Sequence, residues 1–270
     1  VRDGLVRLAV LGDPLSFTLS PALHRAGLES IGLACESRAI RTTAEQLGPR
    51  LDELAAAGYR GVNLTAPLKE EALRHLTRVS DPARRARSAN TVGFEPEARW
   101  GDTTDGAGFV TWLRTLGRIP KQQSVVFFGA GGAVRSLALA LAEAGCDRLT
   151  VCARRPDPAR SAWSEISDVT WASWDSAATT LALAAATLVV HGTPLDDPGI
   201  ALVQVPDHAL IIDLRYAEAP MPWVSRARAA GFEAWDGLGL LVFQAQRSLA
   251  LWTGGEIAID PLARAVGWPR

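Results

Sequence analysis

The sequence predicts a two-domain α/β chain, with a mostly parallel sheet in the N-terminal domain and an open, doubly wound sheet in the domain that follows. Three observations carry that fold class. At 270 residues the chain exceeds the usual single-domain range, so two hydrophobic cores are expected. Short β-rich runs alternate with helical patterns almost throughout, as βα units do. A Gly- and Asp-rich stretch, Gly101 to Gly108, closes the first series, and a second opens at Lys121.

In chain order, RLAVLG reads as a strand, SPALHRAGLESIG as a helix, CESRAIR as a strand, TAEQLGPRLDELAAAG as a helix, YRGVNLT as a strand and KEEALRHL as a helix. The second series runs from SVVFF through a helix after its glycines to LTVCARR, a Trp-rich helical or irregular stretch, TLVVHGTP, ALIIDLRY and PWVSRARAAGFEAWDG. A last helical pattern, Leu240 to Thr253, carries Leu241, Val242, Ala245, Leu249 and Trp252 near helical spacing and suits packing back on the first domain. The expected domains are residues 1–106, joined by 238–270, and residues 107–237.

Composition narrows the function classes. Lys+Arg (28) nearly cancels Asp+Glu (29), so no basic surplus invites nucleic acid or a membrane surface. Cys35, Cys146 and Cys152 stand far apart, without the pairing of a zinc site or a disulfide framework, so no metal and a reducing, cytoplasmic setting are expected. The opening residues set Arg2, Asp3 and Arg7 around a very short apolar run, so neither a secretory signal nor an anchor is expected. Leu181 to Val190 is too short to span a bilayer.

Ser124 to Phe128 is a buried-strand pattern ending in Gly129-Ala130-Gly131-Gly132-Ala133, and Val134, Leu137, Ala138 and Leu141 follow at helical spacing. A glycine turn alone is a tight turn. Between a strand and a helix it also suits a pyrophosphate, which its backbone N–H groups and the helix dipole hold while absent side chains allow close approach. The motif departs from GxGxxG at Val134. About 20 residues on, where an acidic side chain would bind a free ribose 2′-hydroxyl, stands Ala153-Arg154-Arg155. The Arg pair is either a solvated basic turn or a 2′-phosphate site, and its charge and bidentate geometry favour NADP(H) over NAD.

In Gly61-Val62-Asn63-Leu64-Thr65-Ala66-Pro67-Leu68-Lys69 polar residues alternate with apolar ones, the period of a half-buried strand with Asn63 and Thr65 on one face. Pro67 should end the strand and Lys69 open the next helix, where a cation opposes the helix dipole. That misfit marks Lys69 as a functional candidate, beside the plain alternative of a solvated lysine. Ser20 as N-cap with Pro21 at the first helical position accounts for that helix start; equally, the Thr18 and Ser20 hydroxyls at a helix N-terminus suit a substrate carboxylate. Asp105 is either a cap or a carboxylate that orients Lys69 so that the pair relays a proton.

Seven collinear segments, GDPLSFTLSPALH, GVNLTAPLKEEA, SANTVG, GDTTDGAGF, VVFFGAGGAVR, CARR and GLGLLVFQAQRSLALWTG, together resemble the shikimate dehydrogenase family over nearly the whole chain. The resemblance implies an N-terminal α/β substrate domain and a Rossmann-type NADP-binding domain, an enzyme that reduces 3-dehydroshikimate to shikimate with NADPH in chorismate and aromatic amino acid biosynthesis, and a monomer or homodimer. It implies that Lys69 and Asp105 form the catalytic pair, with Thr18, Ser20, Asn63, Thr65, Asn90, Tyr216 and Gln244 around the substrate. It further implies Gly129, Ala130, Gly131, Gly132 and Ala133 at the pyrophosphate, Arg154 and Arg155 at the 2′-phosphate, and Thr193 and Gly239 on the nicotinamide side.

Several positions depart from the family pattern. Phe17-Thr18-Leu19-Ser20-Pro21 stands where His-Ser-x-Ser-Pro is usual, and the added methyl of Thr18 bears on the ring pocket. His191-Gly192-Thr193 replaces the common Asn-Ala-Thr, Thr103 and Ser88 replace the usual Asn and Gly of their loops, and Ala153 and Pro158 replace the Asn and the later Arg of the NADP loop. A quinate/shikimate dehydrogenase, or an enzyme acting on a related ring acid, is therefore the first rival. A non-catalytic NADP-binding sensor is the second, and the presence of both Lys69 and Asp105 argues against it.

Overall fold

The computed structural model describes residues 4–15, 17–146 and 148–269. Arg2 and Asp3, read above as part of the charged N-terminus, lie outside them. The chain divides into two compact units: one runs to Gly108 and resumes at Leu241, and the other is Phe109–Leu240.

The first unit begins β1 (Leu5–Gly12), α1 (Ser20–Glu29), β2 (Ala34–Arg41), α2 (Leu47–Ala56), β3 (Gly61–Leu64) and α3 (Leu68–Glu71), the last continued by a 3₁₀ turn, Ala72–His75. It goes on through β4 (Arg78–Val79), α4 (Asp81–Ala86), β5 (Thr91–Glu95), β6 (Ala98–Asp102) and the first turn of α5 (Asp105–Thr115). Its sheet has the order β2-β1-β3-β5-β6-β4. β1 pairs β2 and β3 in parallel, whereas β5 is antiparallel to both β3 and β6. The ends of β1, β3 and β6 and the start of β5 therefore share one sheet edge.

Side chains alternate across the sheet as a strand requires. Ala9, Leu11, Val62, Leu64 and Val92 meet Leu47, Leu51 and Leu54 of α2 on one face. Val6 and Leu8 meet Leu23 and Leu28 of α1 on the other, together with Val242, Ala245, Leu249 and Trp252 from the end of the chain.

The second unit holds β7 (Ser124–Phe128), α6 (Gly132–Glu143), β8 (Arg148–Ala153), α7 (Pro156–Arg160), β9 (Val169–Ser173), α8 (Ala177–Ala184), β10 (Leu188–His191), β11 (Leu210–Asp213), α9 (Pro222–Ala229) and β12 (Glu233–Trp235). Its strands pair in parallel, in the order β12-β11-β10-β7-β8-β9. This is the doubly wound arrangement with its switch point between β7 and β10, and ligands of such sheets bind beyond the strand ends at that point. α10 (Leu238–Thr253) leads back into the first unit, followed by α11 (Ile259–Val266).

The α/β class and the doubly wound second sheet agree with the sequence pattern. Four local expectations need correction. Leu19, not Ser20, is the N-cap of α1, without a side-chain cap bond, and Ser20 is the first helical residue. β3 is buried along its whole length, because it lies between β1 and β5 with helices on both faces. Leu68 rather than Lys69 opens α3, which is one turn long where KEEALRHL predicted a full helix. The Trp-rich stretch contains the edge strand β9, whose side chains are half exposed and so carry little apolar alternation. Among the described residues no helix is long and apolar enough to cross a membrane.

Candidate active site

The edge shared by β1, β3, β5 and β6 gathers the polar residues of the first unit. Thr65 follows β3 and accepts the Leu68 N–H at its main-chain carbonyl (2.9 Å), a turn that sets Lys69 in the first turn of α3. Asp105 begins α5 directly after β6. Lys69 Nζ donates to Asp105 Oδ2 at 2.5 Å, with the lysine side chain 17% exposed and the aspartate 6%. The other oxygen, Oδ1, accepts from Asn90 Nδ2 at 2.8 Å. A buried carboxylate needs such donors, since an uncompensated charge away from water is costly. With both oxygens engaged, the ammonium is aimed by a fixed carboxylate rather than by solvent.

Asn90 is the hub of this network. Its amide also donates to Gln244 Oε1 (3.1 Å), while its side-chain carbonyl accepts from the Thr104 N–H (2.8 Å) and the Thr104 hydroxyl (3.2 Å). Gln244 comes from α10, more than a hundred residues downstream, and its own amide donates to the Leu241 carbonyl. One strand deeper, Asn63 Nδ2 donates to the Asn90 main-chain carbonyl (3.0 Å) and shares its second N–H between Thr91 Oγ1 and Ser248 Oγ, and its Oδ1 faces His24 Nε2 at 2.9 Å. Because Asn63 Oδ1 is an acceptor, His24 carries its proton on Nε2, and Nδ1 accepts from Ser37 Oγ (2.8 Å). Burial, with the Arg25 charge adding to it against the Asn63 hydrogen bond, lowers the His24 pKa to about 4.

Thr18 and Ser20 sit together before and at the start of α1: Thr18 Oγ1 donates to Ser20 Oγ and accepts the Ser20 N–H, both at 3.3 Å. Thr65 is half-buried, and its methyl packs so closely on Gly12 that a Cβ there would lie 2.2 Å from it. The first unit thus collects Lys69, Asp105, Asn90, Gln244 and Asn63 in one hydrogen-bonded group, with Thr65 just past the end of β3 and Thr18 and Ser20 at the start of α1. Tyr216 is not in this unit; it follows β11 in the second.

In the second unit, Gly129 ends β7 at φ +114°, which only glycine adopts without strain, and a Cβ there would lie 2.8 Å from the Gly192 carbonyl and 3.0 Å from the Thr193 methyl. The turns after β7 and β10 therefore touch across the switch point. Gly131 caps α6 and has open space where a Cβ would be, and Ala130, Gly132 and Ala133 are half-buried around it. Arg154 and Arg155 are exposed at the end of β8 beside this turn. A crowded glycine, an open helix N-terminus and two exposed guanidinium groups fit a phosphorylated dinucleotide. Thr193 bonds to His191 Nε2 at 2.6 Å. Gly239 has a packing reason of its own: a Cβ would lie 2.2 Å from the buried Trp112 indole.

Sequence reasoning missed His24, Thr91, Thr104 and Ser248 in the first unit and the His191–Asp213 pair in the second. Only polarity at apolar spacing, as with Ser248 inside the buried face of α10, signalled any of them.

The family model described as shikimate dehydrogenase substrate binding domain matches residues 10–92. The NADP(+) shikimate dehydrogenase of Rhodospirillum rubrum is 36% identical, with 97% of each chain covered. The structure of shikimate 5-dehydrogenase from Thermus thermophilus in complex with NADP(H) and shikimate superposes with a TM-score of 0.85 at 35% identity, over 97% of this chain and 98% of that one. A quinate dehydrogenase from Corynebacterium glutamicum in complex with NAD also superposes at 0.85, with 27% identity over 97% of this chain and 98% of that one. With such identity sustained along nearly the whole of both chains, the protein belongs to the shikimate dehydrogenase family.

Proposed function

We propose that the protein is an NADP-dependent shikimate dehydrogenase that interconverts 3-dehydroshikimate and shikimate, and that it serves chorismate and aromatic amino acid biosynthesis in a reducing, cytoplasmic setting. The observation that carries the chemistry is the Lys69 ammonium held at 2.5 Å by a carboxylate whose second oxygen is anchored by Asn90. NADP(H), when bound, supplies or accepts the hydride. Lys69 donates a proton to the ketone oxygen during reduction and removes it from the hydroxyl during oxidation, and Asp105 keeps its Nζ on that line. Asn90, itself bonded to Gln244, holds Asp105 in place, and the Thr18 and Ser20 hydroxyls, with Asn63, Thr65, Asn90, Tyr216 and Gln244, bind the ring acid. Gly129, Ala130, Gly131, Gly132 and Ala133 hold the pyrophosphate, Arg154 and Arg155 the 2′-phosphate, and Thr193 and Gly239 border the nicotinamide. The three free cysteines support the reducing setting; the functional particle is a monomer or homodimer.

Thr18 favours a second reading, in which quinate or a related ring acid is accepted, because its added methyl reshapes the wall beside Ser20. Initial rates with shikimate and quinate, each with NADP and NAD, separate the two. A higher kcat/KM for shikimate with NADP is expected, and equal use of quinate with NAD would overturn it. Lys69→Ala should lower kcat by about 10²- to 10⁴-fold with KM for the ring acid largely kept; near-normal turnover would remove Lys69 from the mechanism.

A further inference from the structure

We infer that His191 is a positioning residue which, backed by Asp213, turns the Thr193 hydroxyl into an obligate hydrogen-bond acceptor at the dinucleotide turn and so selects a cofactor ring substituent that donates N–H. The inference rests on the cofactor reading above and goes beyond it by naming the group read and the residues that set it.

The geometry is a chain of three. Asp213 and His191 are both fully buried at the ends of adjacent strands β11 and β10, paired in register. His191 Nδ1 lies 3.1 Å from Asp213 Oδ2, and Nε2 lies 2.6 Å from Thr193 Oγ1. Trp223 closes over the imidazole edge-to-face at 5.4 Å, so the ring has one orientation. The charge of Asp213 is met by Arg215, whose backbone N–H donates to Oδ1 (2.9 Å) and whose Nη2 donates to Oδ2 (3.2 Å).

The proton positions follow from the partners. A carboxylate only accepts, so Nδ1 donates to Asp213; with the ring proton held there, Nε2 presents a lone pair and the Thr193 hydroxyl donates to it. The hydroxyl has one proton, and that proton is committed. Thr193 Oγ1 also accepts the Leu195 N–H (3.4 Å), so what it offers outward is its one remaining lone pair. Its methyl faces the Gly129 turn, so the residue stands at the switch point. A nicotinamide carboxamide has an N–H to give to such an oxygen, whereas an acetyl group in its place has only a carbonyl, which would meet lone pair against lone pair.

The test is equilibrium binding by calorimetry to wild type, His191→Asn and His191→Gln. The probes are NADP⁺, its 3-acetylpyridine analogue and 2′,5′-ADP. Wild type should bind NADP⁺ about tenfold more tightly than the acetyl analogue, the size of one hydrogen bond exchanged for a mismatch. His191→Asn keeps a donor for Asp213 but frees Thr193, so the ratio should fall to about one. His191→Gln, whose amide reaches the Nε2 position, should restore it. A merely structural role would weaken both cofactors alike and leave the ratio untouched. Should His191→Asn not fold, Thr193→Val carries the test, since it too should erase the ratio. A wild-type ratio near one, or a ratio retained in His191→Asn or Thr193→Val, would overturn the inference while 2′,5′-ADP still binds. Failure of wild type to bind both NADP⁺ and 2′,5′-ADP would instead overturn the cofactor reading beneath it.

Discussion

His24 shows how a single buried side chain ties stability to pH. It is wholly enclosed by Ser37, Asn63 and the edge of Trp252, and its pKa is lowered to about 4. In the unfolded chain the same imidazole titrates at its ordinary 6.5. Between these values the unfolded chain binds a proton that the folded chain refuses, so unfolding gains ground as pH falls. The stability present above pH 6.5 is lost progressively toward pH 4, a total of about 3 kcal/mol. Urea unfolding at pH 7.5 and 5.0 should show about 2 kcal/mol of that loss, and His24→Gln, which keeps a polar partner for Asn63 without a titrating ring, should flatten the slope. An unchanged slope would place the acid sensitivity elsewhere.

At the scale of elements, close approach decides which residues are tolerated. α10 begins with Leu238-Gly239-Leu240, and Gly239 lies against the fully buried indole of Trp112 in α5. A methyl there would sit 2.2 Å from the ring, and the ring, enclosed on all sides, has nowhere to turn. Gly239→Ala should therefore destabilise the protein by about 1–3 kcal/mol through overpacking. Thermal unfolding measures this, and a variant as stable as wild type would show that Trp112 can shift. The same helix buries Val242, Ala245, Leu249 and Trp252 on one stripe, and between them Gln244 and Ser248 point into the polar network. The stripe was readable from its spacing. Gln244 entered only through the family resemblance and Ser248 only as a polar residue at an apolar spacing, because nothing in α10 announces that Asn63 and Asn90 lie opposite.

For the molecule as a whole, the end of the chain completes the beginning. Trp252 is 1% exposed, its Nε1 donates to the Val92 carbonyl at 3.0 Å, and its own carbonyl accepts from Arg60 Nε at 2.9 Å. Trp252→Ala should cost about 3–5 kcal/mol, since it leaves a large cavity in the core of the first unit and removes the indole N–H bond to the Val92 carbonyl. Denaturant unfolding followed by circular dichroism would read it, and a loss below about 1 kcal/mol would mean that the core closes over the gap.

The division between sequence and structure follows the range of the forces involved. Alternation of strand and helix, the glycine turn after β7 and the Arg154-Arg155 pair at the end of β8 are written in neighbouring residues, because periodicity, positive φ and local charge act within a few positions of the chain. β5 and β6 lay in no pattern strong enough to announce them, and β3 looked half-buried because its sequence says nothing of what covers Asn63. The meeting of Lys69 with Asp105 through Asn90, the burial of His24, and the line from Asp213 through His191 to Thr193 depend on which strands adjoin and in what register. That is settled only when the sheets assemble, since a hydrogen bond across strands has no sequence separation of its own, only a distance in space.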